Sequence, residues 1–445
     1  MGKIFILFLL LLLLWFWIDT QESLPASTNE KQRLQPKTVD QNRSQQRHTT
    51  PPLQYKAPVV DIEYMQLEGH ELLNQIRSDV GLHTFGYNKR LEAAAQAHAT
   101  YIVRNHHTGH HEYEGGLGFT GKTHIERISK QEYHSKYSSE NLSTRNRSIA
   151  NSIEGLFSAI YHRFGFLDPT MDEIGIGIAQ DHNDTANTAY VYVMGNKQLN
   201  RLCANPAETI RGKYWKVCQD PSKLVSERNY QEAIKITTIM TPKLIRYPYE
   251  NQEDVSVVFY NEEPDPLPEY DVSGFPISVT FNPTHFQNPK VLSFELKDEE
   301  GKRVDAKYLD SNNDPNKRLT PLQFALLPLK RLEYDMDYQV TLVYQDGDHK
   351  ETIDWQFHTR SFDEPFYRII NPIAHITIAQ QSSNILYFPP KDPHDLLTHI
   401  QFPDQLYLAF IDHNTIRITV DDHTPDNFTI KAADREVHVH IDRQE

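Results

Sequence analysis

Histidine is concentrated in one part of this 445-residue chain. Asn105-His106-His107-Thr108-Gly109-His110-His111-Glu112 is followed by Ser139-Glu140-Asn141-Leu142 and then by Tyr161-His162-Arg163. Two imidazoles and one carboxylate drawn from such segments into one cleft could hold Zn²⁺ with a fourth position open, as in His₂Glu catalytic sites. The same groups could move protons without a metal. No H-E-x-x-H element fixes two ligands on one helical turn, and a histidine run is also common as a solvated loop, so spacing leaves both readings open. No Gly-x-Ser-x-Gly elbow supplies a nucleophile.

The elements that must carry these groups lie in Tyr64–Asn200. Leu67, Leu72, Leu73 and Ile76 recur at helical spacing, as do Leu91, Ala94, Ala95, His98, Ile102 and Val103. Asn88 is the expected N-cap of the second helix, and His98, on its packed face, reads as a hydrogen-bonded core histidine. A third helical stretch is expected over Ile149–Phe164, with Ile153, Leu156, Phe157 and Ile160 on one face. Glu173–Gln180 and Thr188–Gly195 alternate as strands, and the turn-prone Asp181–Thr185 between them predicts an antiparallel hairpin. Helices followed by a strand pair predict an α+β layer sandwich.

Leu91-Glu92-Ala93-Ala94-Ala95-Gln96-Ala97-His98-Ala99, leading into Gly109-His110-His111-Glu112, resembles the opening of the CAP superfamily domain. That superfamily holds the cysteine-rich secretory, antigen 5 and pathogenesis-related 1 proteins, also called SCP-like. Ser139-Glu140-Asn141-Leu142 resembles its GEN motif. Ala159-Ile160-Tyr161-His162-Arg163 resembles its later histidine motif in the bacterial form, and Glu173-Ile174-Gly175-Ile176-Gly177-Ile178 its glycine-rich strand. The motifs come in the family's order and cover about Tyr64–Asn196. The resemblance implies an α-β-α sandwich with an open cleft lined by two histidines and two acids. Position by position it assigns His110, Glu140 and His162 to the cleft, as candidate catalytic groups or metal ligands. The second acid falls near Ala159, a departure that leaves Glu112 as a local substitute. Glu112 and His111 are expected at the cleft rim, with His106 and His107.

Tyr247–Thr359 resembles the companion domain that follows CAP domains in some bacterial envelope proteins. The resemblance rests on Phe259-Tyr260-Asn261-Glu262-Glu263-Pro264-Asp265-Pro266-Leu267-Pro268 and Gly274-Phe275-Pro276-Ile277-Ser278-Val279. Pro264, Pro266 and Pro268 predict an extended polyproline-like segment with nothing reactive in it.

The rest of the chain sets the surroundings. Lys plus Arg is 45 against 60 for Asp plus Glu, a net charge of −15, which argues against a nucleic-acid partner. Hydrophobic residues at 38% are enough for packed cores. Lys3 precedes an unbroken apolar run from Ile4 to Ile18, which fits a secretory h-region better than the ~20 residues of a membrane span. Residues 1–20 are therefore read as a signal peptide or membrane anchor, and 21–63 as a flexible polar linker. Cys203 and Cys218 bracket Tyr214 and Trp215 in a connector over 201–232 and would pair in an oxidising compartment, the alternative being two buried thiols. Sequons at Asn42, Asn141, Asn146, Asn183 and Asn427 matter only in a eukaryotic secretory pathway.

From about Ala233 the helical pattern gives way to short β runs: Val255–Tyr260, Ile277–Phe281, Val291–Leu296, Tyr338–Tyr344 and Ile353–His358. They predict a β-sandwich over 233–361 with Trp355 as a core anchor. A small all-β module is expected over 362–445. There Val437, Val439 and Ile441 alternate with His438, His440 and Asp442 as a half-exposed strand, not a metal site. The fold class is thus α+β: a CAP-type sandwich over 64–200 followed by two all-β domains.

The leading functional reading is an exported or membrane-tethered binding protein: periplasmic, cell-surface or secreted. Its cleft would hold a lipid, glycan, peptide or divalent cation such as Zn²⁺, without catalysis, and its partner would be a cell-envelope ligand or lipid. The membrane would be a further partner through an uncleaved N-terminal segment. The alternatives are a metal-dependent or acid–base hydrolase at the same cleft, and a structural or adhesive envelope protein.

Overall fold

The computed structural model describes residues 59–205 and 212–443. The apolar Met1–Ile18 run, the tether over Gln21–Pro58 and the Asn42 sequon lie outside the described residues. Among the described residues no helix is long and apolar enough to cross a membrane.

The first module is a sheet sandwiched between helices. α1 (Ile62–Asp79) starts at Asp61, whose carboxylate accepts the Tyr64 N–H. After the short β1 (Gly86–Tyr87), α2 (Lys89–Asn105) starts at Asn88, whose side-chain oxygen accepts the N–H groups of Arg90 and Leu91. This is the predicted cap, and it satisfies donors that no helix can satisfy internally. α3 (His124–Lys130), β2 (Ser138–Thr144), α4 (Ile149–Ser158) and α5 (Ile160–Phe166) follow, then β3 (Glu173–Gln180), β4 (Thr188–Gly195) and α6 (Lys197–Ala204). The strand order is β1-β3-β4-β2, with β3 and β4 an antiparallel pair in which Glu173 faces Gly195 and Gln180 faces Thr188.

Strand alternation divides β3 between two cores. Ile174, Ile176 and Ile178 pack with Leu73 of α1 and Ile153 and Phe157 of α4. The opposite face takes α2 and α3, through Leu91, Ala94, Ala95, Ala99 and Ile128. Gly175 and Gly177 lie on that second face, where a Cβ would fall 1.9 Å from the Glu92 backbone nitrogen and 2.1 Å from the Ala95 carbonyl carbon. The glycines thus let a helix rest directly on the strand backbone.

The single helix expected over Ile149–Phe164 is two. Ala159 is extended (φ −79°, ψ 111°) and ends α4 one residue before α5 begins. Ile153, Leu156, Phe157 and Ile160 are all buried, so hydrophobic periodicity runs straight through the break and conceals it.

Cys203 and Cys218 form a disulfide. It ties α6 to a small unit in which β5 (Tyr214–Trp215) pairs with β6 (Val225–Ser226) and Trp215 stacks on Tyr230 of α7 (Glu227–Thr238), centroids 4.2 Å apart. α7 continues six residues past the connector end expected at 232. Its Ile-Lys-Ile-Thr-Thr-Ile tail has strand-like composition, but Ala233, Ile234, Thr237 and Thr238 are buried at helical spacing. Replacing both cysteines with serine is expected to cost about 3 kcal/mol, the loop-closure entropy of a segment this size. The change should appear as faster amide exchange in α6 and α7.

The second module is a β-sandwich. β7 (Leu244–Tyr247), β8 (Gln252–Val255), β9 (Phe259–Tyr260), β10 (Val272–Ser273), β11 (Ile277–Phe281), β12 (Lys290–Asp298), β13 (Ala306–Leu309), β14 (Gln323–Pro328), β15 (Asp337–Asp346) and β16 (His349–Thr359) follow in order. One sheet runs β13-β14-β11-β7 and the other β12-β15-β16-β8, with Trp355 buried between them. The run expected as one strand over Val255–Tyr260 is split between β8 and β9. The segment around Pro264, Pro266 and Pro268 bends and turns rather than extending.

In the third module the strands form two further sheets. β17 (Phe366–Arg368), β18 (Ile373–Ala379), β19 (Ser383–Tyr387), β20 (Ile400–Gln401), β21 (Tyr407–Asp412), β22 (Thr415–Thr419), β23 (Asn427–Ala432) and β24 (Arg435–Asp442) pair in the orders β17-β19-β22-β21 and β18-β24-β23-β20. In β24 the apolar Val437, Val439 and Ile441 point inward.

Candidate functional site: two imidazole–carboxylate pairs

The candidate site is built on the loop that leaves α2. His106 ends that helix in the left-handed region (φ 47°). Glu112 then organises the loop from inside: its carboxylate accepts the backbone N–H groups of Thr120 and Gly121 and the Thr120 hydroxyl, and faces His98 Nδ1 at 3.0 Å. His98 is fully buried, with its Nε2 3.2 Å from the Gly109 carbonyl. Glu112 is fully buried as well. The expectation that it lines the rim, or replaces the second acid, is corrected: its lone pairs are taken by its own loop. His111 is exposed, as is His106, while His107 is half-buried.

His110 projects from this loop with its side chain 41% exposed, and its Nδ1 lies 3.0 Å from Glu140 Oε1. Glu140, on β2, is 1% exposed and also accepts both of its hydrogen bonds from Arg127 Nη2, at 2.8 and 2.7 Å. The same guanidinium donates to the carbonyls of His110 and Gly121, so Arg127 on α3 clamps loop and strand together. Burial alone would raise the Glu140 carboxyl. The His110 hydrogen bond and the Arg127 charge outweigh it and hold the group well below the usual carboxylate range. His124 stands near the same carboxylate; burial pushes its pKa down, and Glu140 opposes that shift.

His162, on α5, faces His110; it is 14% exposed, with Nδ1 2.9 Å from Glu262 Oε2. The two rings are nearly parallel, 20° apart with centroids separated by 6.4 Å. Glu262 is 4% exposed and follows β9, in the second module. Burial raises its carboxyl pKa, while His162 and the backbone N–H groups of Tyr161 and Ile160 oppose the shift. The second acid was expected near Ala159, which is where Glu262 arrives from another module. Its segment had been read as chemically inert, because a partner 100 residues away leaves no trace in spacing. Asn141 of the GEN-like motif is buried, and its amide donates to the His162 carbonyl, so its sequon is occupied structurally.

The rings of His110 and His162 stand 6.4 Å apart, and Glu140 lies behind His110, 3.0 Å from its Nδ1, rather than beside it as a third ligand. Among the described residues no group of three or more His, Cys, Asp or Glu is placed to hold a metal ion. What the site offers is two Nε2 atoms, each on a ring fixed through Nδ1 by a carboxylate, the arrangement that orients histidine ligands of metals. Arg127 and Glu262 were missed. A lone arginine on a short amphipathic helix, and an acid in a proline-rich segment, look like solvated surface.

The family model of the cysteine-rich secretory protein family, CAP, matches residues 70–196, and that part of the chain is a CAP domain. Among solved structures the chain is similar to an extracellular protein containing an SCP domain from Bacillus anthracis, at 16% identity over 32% of this chain and 45% of that one, TM-score 0.27. It is also similar to an outer surface protein from Borrelia burgdorferi, at 16% over 31% and 95%, TM-score 0.28. A cysteine-rich secretory protein from Staphylococcus aureus matches at 20% over 31% and 40%, TM-score 0.23. The chain thus spans less than half of the Bacillus and Staphylococcus proteins. No curated protein sequence matches it.

Proposed function

We propose that this is an exported CAP-domain protein that binds a lipid, glycan, peptide or divalent cation through the paired imidazoles of His110 and His162, Zn²⁺ being the simplest ligand to test. The supporting observation is the geometry of the two rings: near-parallel, 6.4 Å apart, each held at Nδ1 by a buried carboxylate. Such pairing fixes the tautomer and ring orientation and leaves Nε2 for a ligand. Export is supported by the apolar run at Ile4–Ile18 and by the disulfide, which persists in oxidising compartments.

Calorimetric titration of the full chain with Zn²⁺ tests this. Wild type should bind one equivalent, and His110→Ala and His162→Ala should each weaken binding at least about tenfold, the size of effect seen when one member of a ligand set is lost. Binding unchanged in both variants, or no stoichiometric binding by wild type, would overturn the cation reading. A second reading follows from the same pairs, since a carboxylate-backed imidazole is also a general base. Hydrolysis of peptide, ester or glycan substrates that disappears in His162→Ala would establish it.

A further inference from the structure

We propose that the protein carries a second binding site, for a carboxylate-bearing saccharide, in a cavity where its three modules meet. The cavity measures about 420 Å³, within the range of small-molecule sites. α4 and the loop before it form one wall, Ser256–Val258 and Arg360 of the second module another, and residues 410–413 of the third module the last. None of His110, Glu140, His162 and Glu262 lines it.

Three local features at this cavity are not what packing alone would choose. On α4, Asn151, Glu154, Gly155 and Ser158 line it at helical spacing, away from the buried Ile153, Leu156 and Phe157. A glycine inside a helix is less stable than an alanine, yet a Cβ at Gly155 would meet nothing within 4 Å. No neighbour requires this glycine, and its effect is to leave the cavity floor open down to the helix backbone. Arg145, in the preceding loop, stands in the left-handed region (φ 61°), with its N–H donated to the Thr188 carbonyl at 2.9 Å. Residues other than glycine rarely adopt that conformation. In the third module a bulge at Ile411 shifts the β21–β22 register between Phe410 and Asp412. Regular alternation would turn every second side chain away, whereas the bulged strand brings Phe410, Ile411, Asp412 and His413 to one cavity.

The chemistry of the walls selects an acidic sugar. Their charged side chains are Arg145, Arg147 and Arg360 against Glu154 and Asp412, a cationic balance in a chain whose net charge is −15. Asp412 is already matched by Arg331 at 2.8 Å, and Arg360 by Glu154 and Asp254, each at 2.8 Å. Arg145 makes no ion pair among the described residues, and a guanidinium fork matches a carboxylate with two parallel N–H bonds. On the third-module wall Phe410 and His413 are exposed, and His413 is set edge-on to Tyr260 with centroids 4.7 Å apart. The C–H face of a pyranose packs on such rings, while the amides of Asn146 and Asn151 can donate to and accept from its hydroxyls.

Calorimetry on the full chain tests the site with two probes, trigalacturonate and a disaccharide of N-acetylmuramic acid and N-acetylglucosamine, each against its carboxyl-reduced form. At least one acidic probe should bind, about tenfold or more tighter than its reduced form, the worth of one charge-assisted contact. Gly155→Leu removes no charge and adds a side chain where no neighbour stands. It should weaken binding at least about tenfold while thermal stability stays level or rises, a pairing that a folding defect would not produce. Arg145→Ala and Phe410→Ala should each weaken binding about tenfold. If neither acidic probe binds, or Gly155→Leu binds as tightly as wild type, the inference is overturned. Reduced forms that bind equally well overturn the carboxylate assignment. Binding that is lost in His162→Ala and kept in Gly155→Leu puts the saccharide at the imidazoles, so this inference falls while the reading of that site stands.

Discussion

Replacing Gly177 with alanine is expected to unfold the first module or to detach α2 from its sheet, at a cost of about 3 kcal/mol or more. The new Cβ would lie 2.1 Å from the Ala95 carbonyl carbon and 2.2 Å from the Gln96 nitrogen. Both are helix backbone atoms, so no change of rotamer relieves the clash and the whole helix must move. Overpacked sites usually cost about 1–3 kcal/mol, and this one stands at the upper end because nothing flexible is involved. Moving α2 also breaks the exchange in which Gln96 donates to the Ile178 carbonyl at 2.7 Å and accepts the Ile178 N–H at 3.1 Å. Gly175→Ala should behave alike. Gly155 is the control: it lies in α4 with open space around its Cβ position. Gly155→Ala should stabilise by about 0.5–1 kcal/mol through helix propensity. Native-state amide exchange in β3 and β4 reads all three, and equal protection in Gly177→Ala and Gly155→Ala would refute the close-approach account.

Glu140→Gln is expected to cost about 3–5 kcal/mol, because it leaves the Arg127 guanidinium buried without its counter-charge. Both side chains are 1% exposed, so water offers no substitute. Adding Arg127→Met to Glu140→Gln should recover part of the loss, since the guanidinium left without Glu140 is removed, though Glu112, 3.9 Å from Arg127 Nε, then keeps only His98 and its loop donors. The pH dependence has a definite sign. The folded state holds the Glu140 carboxyl below its ordinary value of 4.5. Its contribution is therefore complete above that value and disappears as the pH falls from there toward the lower folded value. In metal-free buffer, wild-type stability should drop below about pH 4.5, and Glu140→Gln should follow a flatter curve over the same range. A parallel decline in the two proteins would show that the acid sensitivity arises elsewhere.

Local information accounts for much of the first module. Asn88 could be read as a cap because the bond from its side chain to the next residues is made within three positions. β3 and β4 fall where alternation placed them, because every second side chain must enter one of two cores. The break at Ala159 escaped the same reasoning: helices α4 and α5 bury a shared apolar stripe, so their period is unaltered by one extended residue. α7 was not foreseen at all, since β-branched Ile236, Thr237, Thr238 and Ile239 favour a strand, and it is packing of Ala233 and Ile234 against the disulfide unit that outweighs that propensity.

The sequence by itself determined which residues could be ligand or base, that a set of amphipathic helices and a strand hairpin are present, and that β modules follow. These properties follow from residue chemistry and from periods of 2 and 3.6. Tertiary structure alone decided what each acid does. Glu112 and Glu262 are the same side chain, yet one is folded under its own loop and the other reaches His162 from another module. A carboxylate's role is set by which donors lie within about 3 Å of it, and chain closure over 100 residues, rather than neighbouring sequence, chooses those donors.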